Sequence, residues 1–340
     1  MIRRRDALAA LAAAPFAKAA ASLIRAHALK AGDTVGLLTP ATYVSDPDRL
    51  QMVEDTARFF GLVPRFGRNV RKRAGYLGGS IEERLDDLHA FWSDPEIRAV
   101  FAIRGGYGSG QLLDRIDYDL IRRNPKIFVG YSDITAMHLA IHQRTGLVTF
   151  HGPVLTSAFT PYSQEHYRKA LFDTAPIGTV TNPPETNKLR PQHRLRTIRP
   201  GRARGRLTGG NLSLVCSLMG TPFEIDTRGA VLFLEDVGEQ PYSIDRMLTQ
   251  LRLAGKLRQA AGIIWGECSG CAPSDYKPGF ESTFSTGEVA DQVFGQLDIP
   301  VLSGLAIGHT DDQLTLPYGV SATLDADRGT LTIEEAATVA

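Results

Sequence analysis

The stretch Lys126-Ile-Phe-Val-Gly-Tyr-Ser132-Asp-Ile-Thr135 leaves the chain few ways to fold. An apolar run over 127–129 stops at Gly130, and helical periodicity begins just past Ser132. A short, uninterrupted apolar run beside helical segments is the pattern of a strand covered on both faces, as in a parallel sheet. A serine on the turn that leaves such a strand has its hydroxyl pushed out of the sheet edge. The first amides of the following helix lie where an oxyanion would form. This is how a nucleophilic serine is presented, so the rest of the chain must supply a base.

Strand and helix signals alternate around this point. A strand over 34–39 ends at Pro40, and a helix follows over 47–61. Positions 81–92 place Leu85, Leu88, Phe91 and Trp92 on one helical face. A strand over 97–103 is broken by Gly105-Gly106-Tyr107-Gly108, and a short helix is predicted over 111–116. After the strand at 126–130 come a helix over 133–144 and a strand over 147–150, ending at His151-Gly152-Pro153. Strands joined by helices imply an α/β fold with a mostly parallel sheet and ligands at the carboxyl ends of its strands. Residues 30–175 are read as this nucleophile-bearing domain.

Residues 176–206 hold seven arginines with prolines and asparagines and almost no apolar periodicity, and they read as a solvated linker. Without interleaved aromatics they do not read as a nucleic-acid strip. A second α/β unit spans 207–336. Its helices are predicted over 212–219, 243–254 and 287–296, and its strands over 230–234, 263–266 and 299–302. A terminal hairpin turns at Ala326-Asp327-Arg328-Gly329.

Charge narrows the partners. Lys plus Arg number 38 against 37 Asp plus Glu, so no overall field favours nucleic acid or an anionic membrane. Arg3, Arg4 and Arg5, an Ala/Leu-rich run and Ala17-Lys18-Ala19 read as an export signal over 1–21, of the twin-arginine kind. A periplasmic or exported protein is therefore expected, a cytoplasmic one being the alternative. No later run is long and apolar enough to span a bilayer. Cys268 and Cys271 form a C-x-x-C, but no second half completes a metal site. No metal or organic cofactor is expected.

A serine nucleophile needs a base and a carboxylate to orient it. Glu235 follows an apolar strand, at its mouth, and His309 follows another behind Gly308. His151 also ends a strand and competes with His309 for the role of base. The order Ser132, Glu235, His309 is one in which such triads occur. The second glycine of G-x-S-x-G is replaced by Ile134, which disfavours an α/β-hydrolase. The loop Arg104-Gly-Gly-Tyr-Gly108 lacks the Lys-Ser/Thr of a P-loop, and it suits close approach of amides to a carbonyl or carboxylate.

Arg104-Gly-Gly-Tyr-Gly108, Pro125-Lys-Ile-Phe-Val-Gly-Tyr-Ser-Asp133, His151-Gly-Pro153, Gly209-Gly-Asn-Leu212, Leu234-Glu-Asp236 and Gly308-His309, in this order, resemble the LD-carboxypeptidase family. Its members are muramoyl-tetrapeptide carboxypeptidases and microcin C self-immunity hydrolases. The resemblance implies a Rossmann-like N-terminal lobe, a smaller C-terminal lobe and a homodimer. It also implies a triad of Ser132 as nucleophile, His309 as base and Glu235 as orienting acid. The substrate would be a murein peptide whose terminal D-alanine is removed. Amides of Gly106 and Asp133 are the candidates for the oxyanion hole, and Arg104, Gly105 and Tyr107 for holding the peptide carboxylate. A sister amide hydrolase would keep the triad and stack an adenine on aromatics of the 269–285 loop, where Tyr276, Phe280 and Phe284 lie. A non-catalytic periplasmic binding protein would not need the three side chains to converge.

Overall fold

The computed structural model describes residues 23–185, 187, 189, 191–273 and 283–340. The export signal, Tyr276 and Phe280 lie outside these residues. The strands are Thr34–Leu38 (β1), Val63–Phe66 (β2), Ile97–Ala102 (β3), Ile127–Gly130 (β4), Phe150–His151 (β5), Pro176–Val180 (β6) and Arg196–Arg199 (β7). They continue with Arg202–Asn211 (β8), Ala230–Val237 (β9), Gly262–Ser269 (β10), Val301–Ser303 (β11), Leu316–Pro317 (β12), Ser321–Asp325 (β13) and Thr330–Ala336 (β14). Two sheets result. The first runs β12-β5-β4-β3-β1-β2 and is parallel throughout except for β12. The second runs β6-β14-β13-β8-β9-β10-β11-β7, with a parallel centre of β8 to β11 and antiparallel flanks.

The parallel strands are apolar because both of their faces are covered. Every residue of β4 is buried, as are the first seven of β9. The predicted face of the helix Ile81–Ser93 is buried at Leu85, Leu88, Phe91 and Trp92. That helix starts at a reciprocal capping box between Ser80 and Glu83, a device worth about 1 kcal/mol. No helix among the described residues is long and apolar enough to cross a membrane.

The stretch 176–206 is not a linker. It supplies β6, β7 and the first half of β8 to the second sheet, which thereby has eight strands against six in the first. In β8, Arg202, Arg204 and Arg206 point outward while Ala203 and Leu207 are buried, a period of two that the charged residues conceal. Five of the seven arginines are paired: Arg196 with Asp291, Arg199 with Asp298, Arg202 with Asp325, Arg204 with Glu334 and Arg206 with Asp226. An anion-binding strip would need them free. The lobes also share chain, since β12 returns to the edge of the first sheet and an isolated bridge joins His27 to Val339.

Candidate active site

β4 delivers Ser132 on a sharp elbow. Tyr131 is still extended at φ −149°, whereas Ser132 has φ +63°, the one non-glycine residue with positive φ among those described. That conformation costs about 1–2 kcal/mol for an L-residue and is kept only where the surroundings enforce it. A single 3₁₀ turn over Ser132–Ile134 leads into the helix Thr135–Thr145. A Cβ on Gly130 would come 2.8 Å from Ile134 Cγ2, so the glycine before the elbow and the isoleucine after it are packed as a pair. This is the reason Ile134 stands where a second glycine was sought.

The glycine-rich loop lies directly on the elbow. A Cβ on Gly105 would fall 3.0 Å from Ser132 Cβ and 3.3 Å from the Asp133 amide nitrogen, so a larger residue would crowd the elbow. Asp133 fastens the loop. Its buried carboxylate accepts from Ser109 N (2.8 Å) and Gly108 N (3.3 Å), and its carbonyl accepts from Ser109 Oγ (2.6 Å). Burial pushes the Asp133 carboxyl above the ordinary range, opposed by these hydrogen bonds. Behind the loop, buried Arg84 donates to Pro40 O (2.8 Å), Gly108 O (2.9 Å) and Gln111 Oε1 (2.8 Å). Thr42 Oγ1 accepts from Tyr107 N at 3.0 Å. Sequence reasoning missed Arg84 and Thr42. The only signal for Arg84 was a cation on the otherwise apolar side of an amphipathic helix.

Arg104 and Tyr107 stand outside this clamp. Arg104 is exposed and makes no ion pair or hydrogen bond among the described residues, so it is not a structural salt bridge beneath the loop. Tyr107 is half-exposed and packs on Tyr76, with ring centroids 5.7 Å apart.

From the other lobe, β9 carries Glu235 to the same place. Glu235 is fully buried, and its Oε2 meets His309 Nδ1 at 2.8 Å. Its Oε1 has no hydrogen-bond partner among the described residues; the neighbouring Asn211 side chain donates to Asp236 (3.0 Å) instead. Burial raises the Glu235 carboxyl above the usual carboxylate range, while the bond from His309 pulls the other way. Gly308 has φ +99°, and a Cβ there would lie 2.3 Å from Glu235 Oε2, so a glycine must precede this histidine. The His309 ring packs on Tyr131, centroids 4.8 Å apart, immediately beside Ser132. The two lobes are tied at this point by Asn211 N donating to Thr135 Oγ1 at 3.0 Å.

His151 does not compete. It is fully buried beneath Tyr131 and against Phe233, neither ring nitrogen has a partner among the described residues, and burial lowers its pKa well below 6.5. A base must reach solvent-accessible substrate and hold a proton near neutrality, and His151 can do neither.

A further histidine, His193, lies in the stretch read as a linker and braces the His309 loop. It is buried between Glu267 on β10, which meets Nδ1, and Asp312, whose Oδ2 lies 3.1 Å from Nε2. Burial alone would lower its pKa, but the hydrogen bonds and charges of the two carboxylates outweigh that and raise it. A folded-state pKa above 6.5 gives stability that is fully present below 6.5 and lost as pH rises through the raised value. Thermal unfolding of His193→Gln should therefore show a large deficit against the wild type below pH 6.5 that narrows as pH rises. A deficit that grew with pH would contradict the ion-paired assignment.

Taken together, a strained serine elbow, amides crowding it and a carboxylate-bound imidazole at its side define a hydrolase of the serine type built on two α/β lobes. The comparisons with known proteins agree. Residues 35–152 match the LD-carboxypeptidase N-terminal domain and residues 204–324 the LD-carboxypeptidase C-terminal domain. The chain is 43% identical to the probable murein peptide carboxypeptidase of Bacillus subtilis (strain 168), over 90% of this chain and 93% of that protein. Among solved structures, the microcin C7 self-immunity protein MccF in complex with aspartyl sulfamoyl adenosine superposes with a TM-score of 0.83 at 30% identity, covering 93% of this chain and all of that one. The muramoyltetrapeptide carboxypeptidase from Oxalobacter formigenes gives 0.76 at 29% identity, covering 90% and 100%. The protein belongs to the LD-carboxypeptidase family, whose members hydrolyse murein peptides or MccF-type amides.

Proposed function

We propose that this protein removes the terminal D-alanine from murein tetrapeptide, with Ser132 as nucleophile, His309 as base and Glu235 as the acid that orients it. The observation that carries the reading is the 2.8 Å contact of His309 Nδ1 with a fully buried Glu235, on a ring that packs against the residue before Ser132. A carboxylate at Nδ1 keeps the proton there and leaves Nε2 as the acceptor. Ser132 Oγ attacks the carbonyl before the D-residue and passes its proton to His309 Nε2. The tetrahedral oxyanion is met by the amides of Gly106 and Asp133, each worth about 3 kcal/mol where such donors have been removed. His309 then protonates the leaving amine, and water, deprotonated by the same imidazole, releases the acyl group from Ser132. Arg104, exposed and without an ion pair or hydrogen bond among the described residues, is the group for the terminal carboxylate through a two-pronged contact. The basic, apolar, small-residue leader makes the enzyme an exported one in this reading, and family habit makes it a homodimer.

A second reading rests on the likeness to MccF: the same relay would cleave an acyl amide attached to a nucleoside. The exposed, touching rings of Tyr76 and Tyr107 at the rim offer a stacking surface for a base. Mass spectrometry of the products from purified murein tetrapeptide and from an aspartyl sulfamoyl nucleoside separates the two. Release of D-alanine from the first, and little turnover of the second, is the expected result. Arg104→Ala should raise KM for tetrapeptide roughly tenfold to a hundredfold with a much smaller change in kcat. An unchanged KM would remove Arg104 from the carboxylate site.

A further inference from the structure

Cys268 and Cys271, which the hydrolytic chemistry leaves unused, meet across one turn at the end of β10. The Cys271 amide donates to the Cys268 carbonyl at 3.2 Å, closing a four-residue turn whose third residue, Gly270, has φ +66°. The first and fourth Cα atoms of such a turn lie within about 7 Å, which overlaps the roughly 4.4–6.8 Å span of a disulfide. Both cysteines are free, and they occupy the first and fourth positions of that turn. They are also unlike one another. The neighbouring Cys268 thiol holds the half-buried Cys271 below the ordinary thiol range, and the Cys271 thiol, with burial, lifts Cys268 well above it. One sulfur is suited to attack and the other to resolve.

The turn is bolted to the active site on two sides. Cys268 stands in register with Asp236, the residue after Glu235. Ser269, between the cysteines, accepts from Gly238 N at 2.9 Å through its carbonyl, and its hydroxyl donates to the carbonyl of His309. Drawing the two sulfurs to bonding distance pinches the turn around Ser269, and Ser269 is what holds the backbone of His309.

We propose that Cys268 and Cys271 form a reversible disulfide, and that its formation displaces Ser269 from His309 and slows hydrolysis. The oxidant is another disulfide, small or protein-borne. The Cys271 thiolate attacks one of its sulfurs and expels a thiolate. The Cys268 thiol then loses its proton, attacks Cys271 Sγ and expels the second thiolate. Two protein thiols are oxidised and one external disulfide is reduced to two thiols. Ser269 is a positioning residue, and only the kinetic half of the proposal rests on His309 acting as base.

The test uses the whole chain equilibrated in mixtures of reduced and oxidised glutathione, quenched in acid, unfolded and alkylated. The chain has three cysteines, so the reduced protein should take three labels and the oxidised one a single label, on Cys216. The kcat for tetrapeptide should fall about tenfold on oxidation, return with dithiothreitol, and carry a shifted acid limb of its pH profile. Cys271→Ser should match the reduced wild type and ignore glutathione. Ser269→Ala should still oxidise, with kcat already low and no longer redox-dependent. Three labels retained in excess oxidised glutathione would overturn disulfide formation whatever the nucleophile. A disulfide that leaves kcat and the pH profile unmoved would overturn the coupling to His309.

Discussion

Ser132→Ala is expected to lower kcat by about 10⁶-fold, with the melting temperature unchanged within a degree or so. The hydroxyl is the attacking atom in the proposed mechanism, and nothing else at the elbow can replace it. Binding should survive, because Arg104 and the loop amides are untouched. The fold should survive too. The φ of +63° at this position strains alanine as it strains serine, so the strain cancels between the two proteins. Release of D-alanine measured by chromatography, with circular dichroism on the same samples, is the check. A fluorophosphonate probe should label wild type at Ser132 and leave the variant bare. Retained turnover in a folded variant would end the assignment.

Glu235→Gln should cost about 10⁴-fold in kcat while leaving the protein as stable or more so. A neutral amide of the same shape can present its NH₂ to His309 Nδ1, which then accepts, and the imidazole is held in the wrong tautomer. The stability effect has the opposite sign for a separate reason. Burial raises the Glu235 pKa above its unfolded value of 4.5, so the ionised form is disfavoured in the folded protein. The stability this group contributes is present below pH 4.5 and lost as pH rises through the folded value. Glutamine removes that loss. A melting temperature well below wild type near neutrality would show that the carboxylate is better satisfied than its orphaned Oε1 indicates.

How much of this was legible beforehand varies with the kind of signal. The strand before Ser132, the helix Ile81–Ser93 and the central strands β9 and β10 were readable because burial on one or both faces leaves an unbroken or periodic apolar pattern. The strands within 176–206 were not readable. β6 and β7 are the edges of the sheet, and the first half of β8 turns its arginines to solvent. Alternating arginines with acidic partners far along the chain mask the period of two. The role of His193 leaves no local signal for the same reason, since Glu267 and Asp312 are 74 and 119 residues away.

The sequence alone determined the elements that local chemistry can specify. A glycine ends β4 because Ile134, on the turn that follows, fills the space of its missing side chain. Tertiary structure alone decided which carboxylate meets which imidazole. It sent His151 into the core and His309 to the elbow, although both stand next to a glycine in the sequence. It also turned Asp133 inward as the latch of the glycine-rich loop and left Arg104 exposed at the surface. The physical reason is that burial and partnership arise from sheet order and lobe docking, and contacts between residues a hundred positions apart leave no periodic trace in the chain.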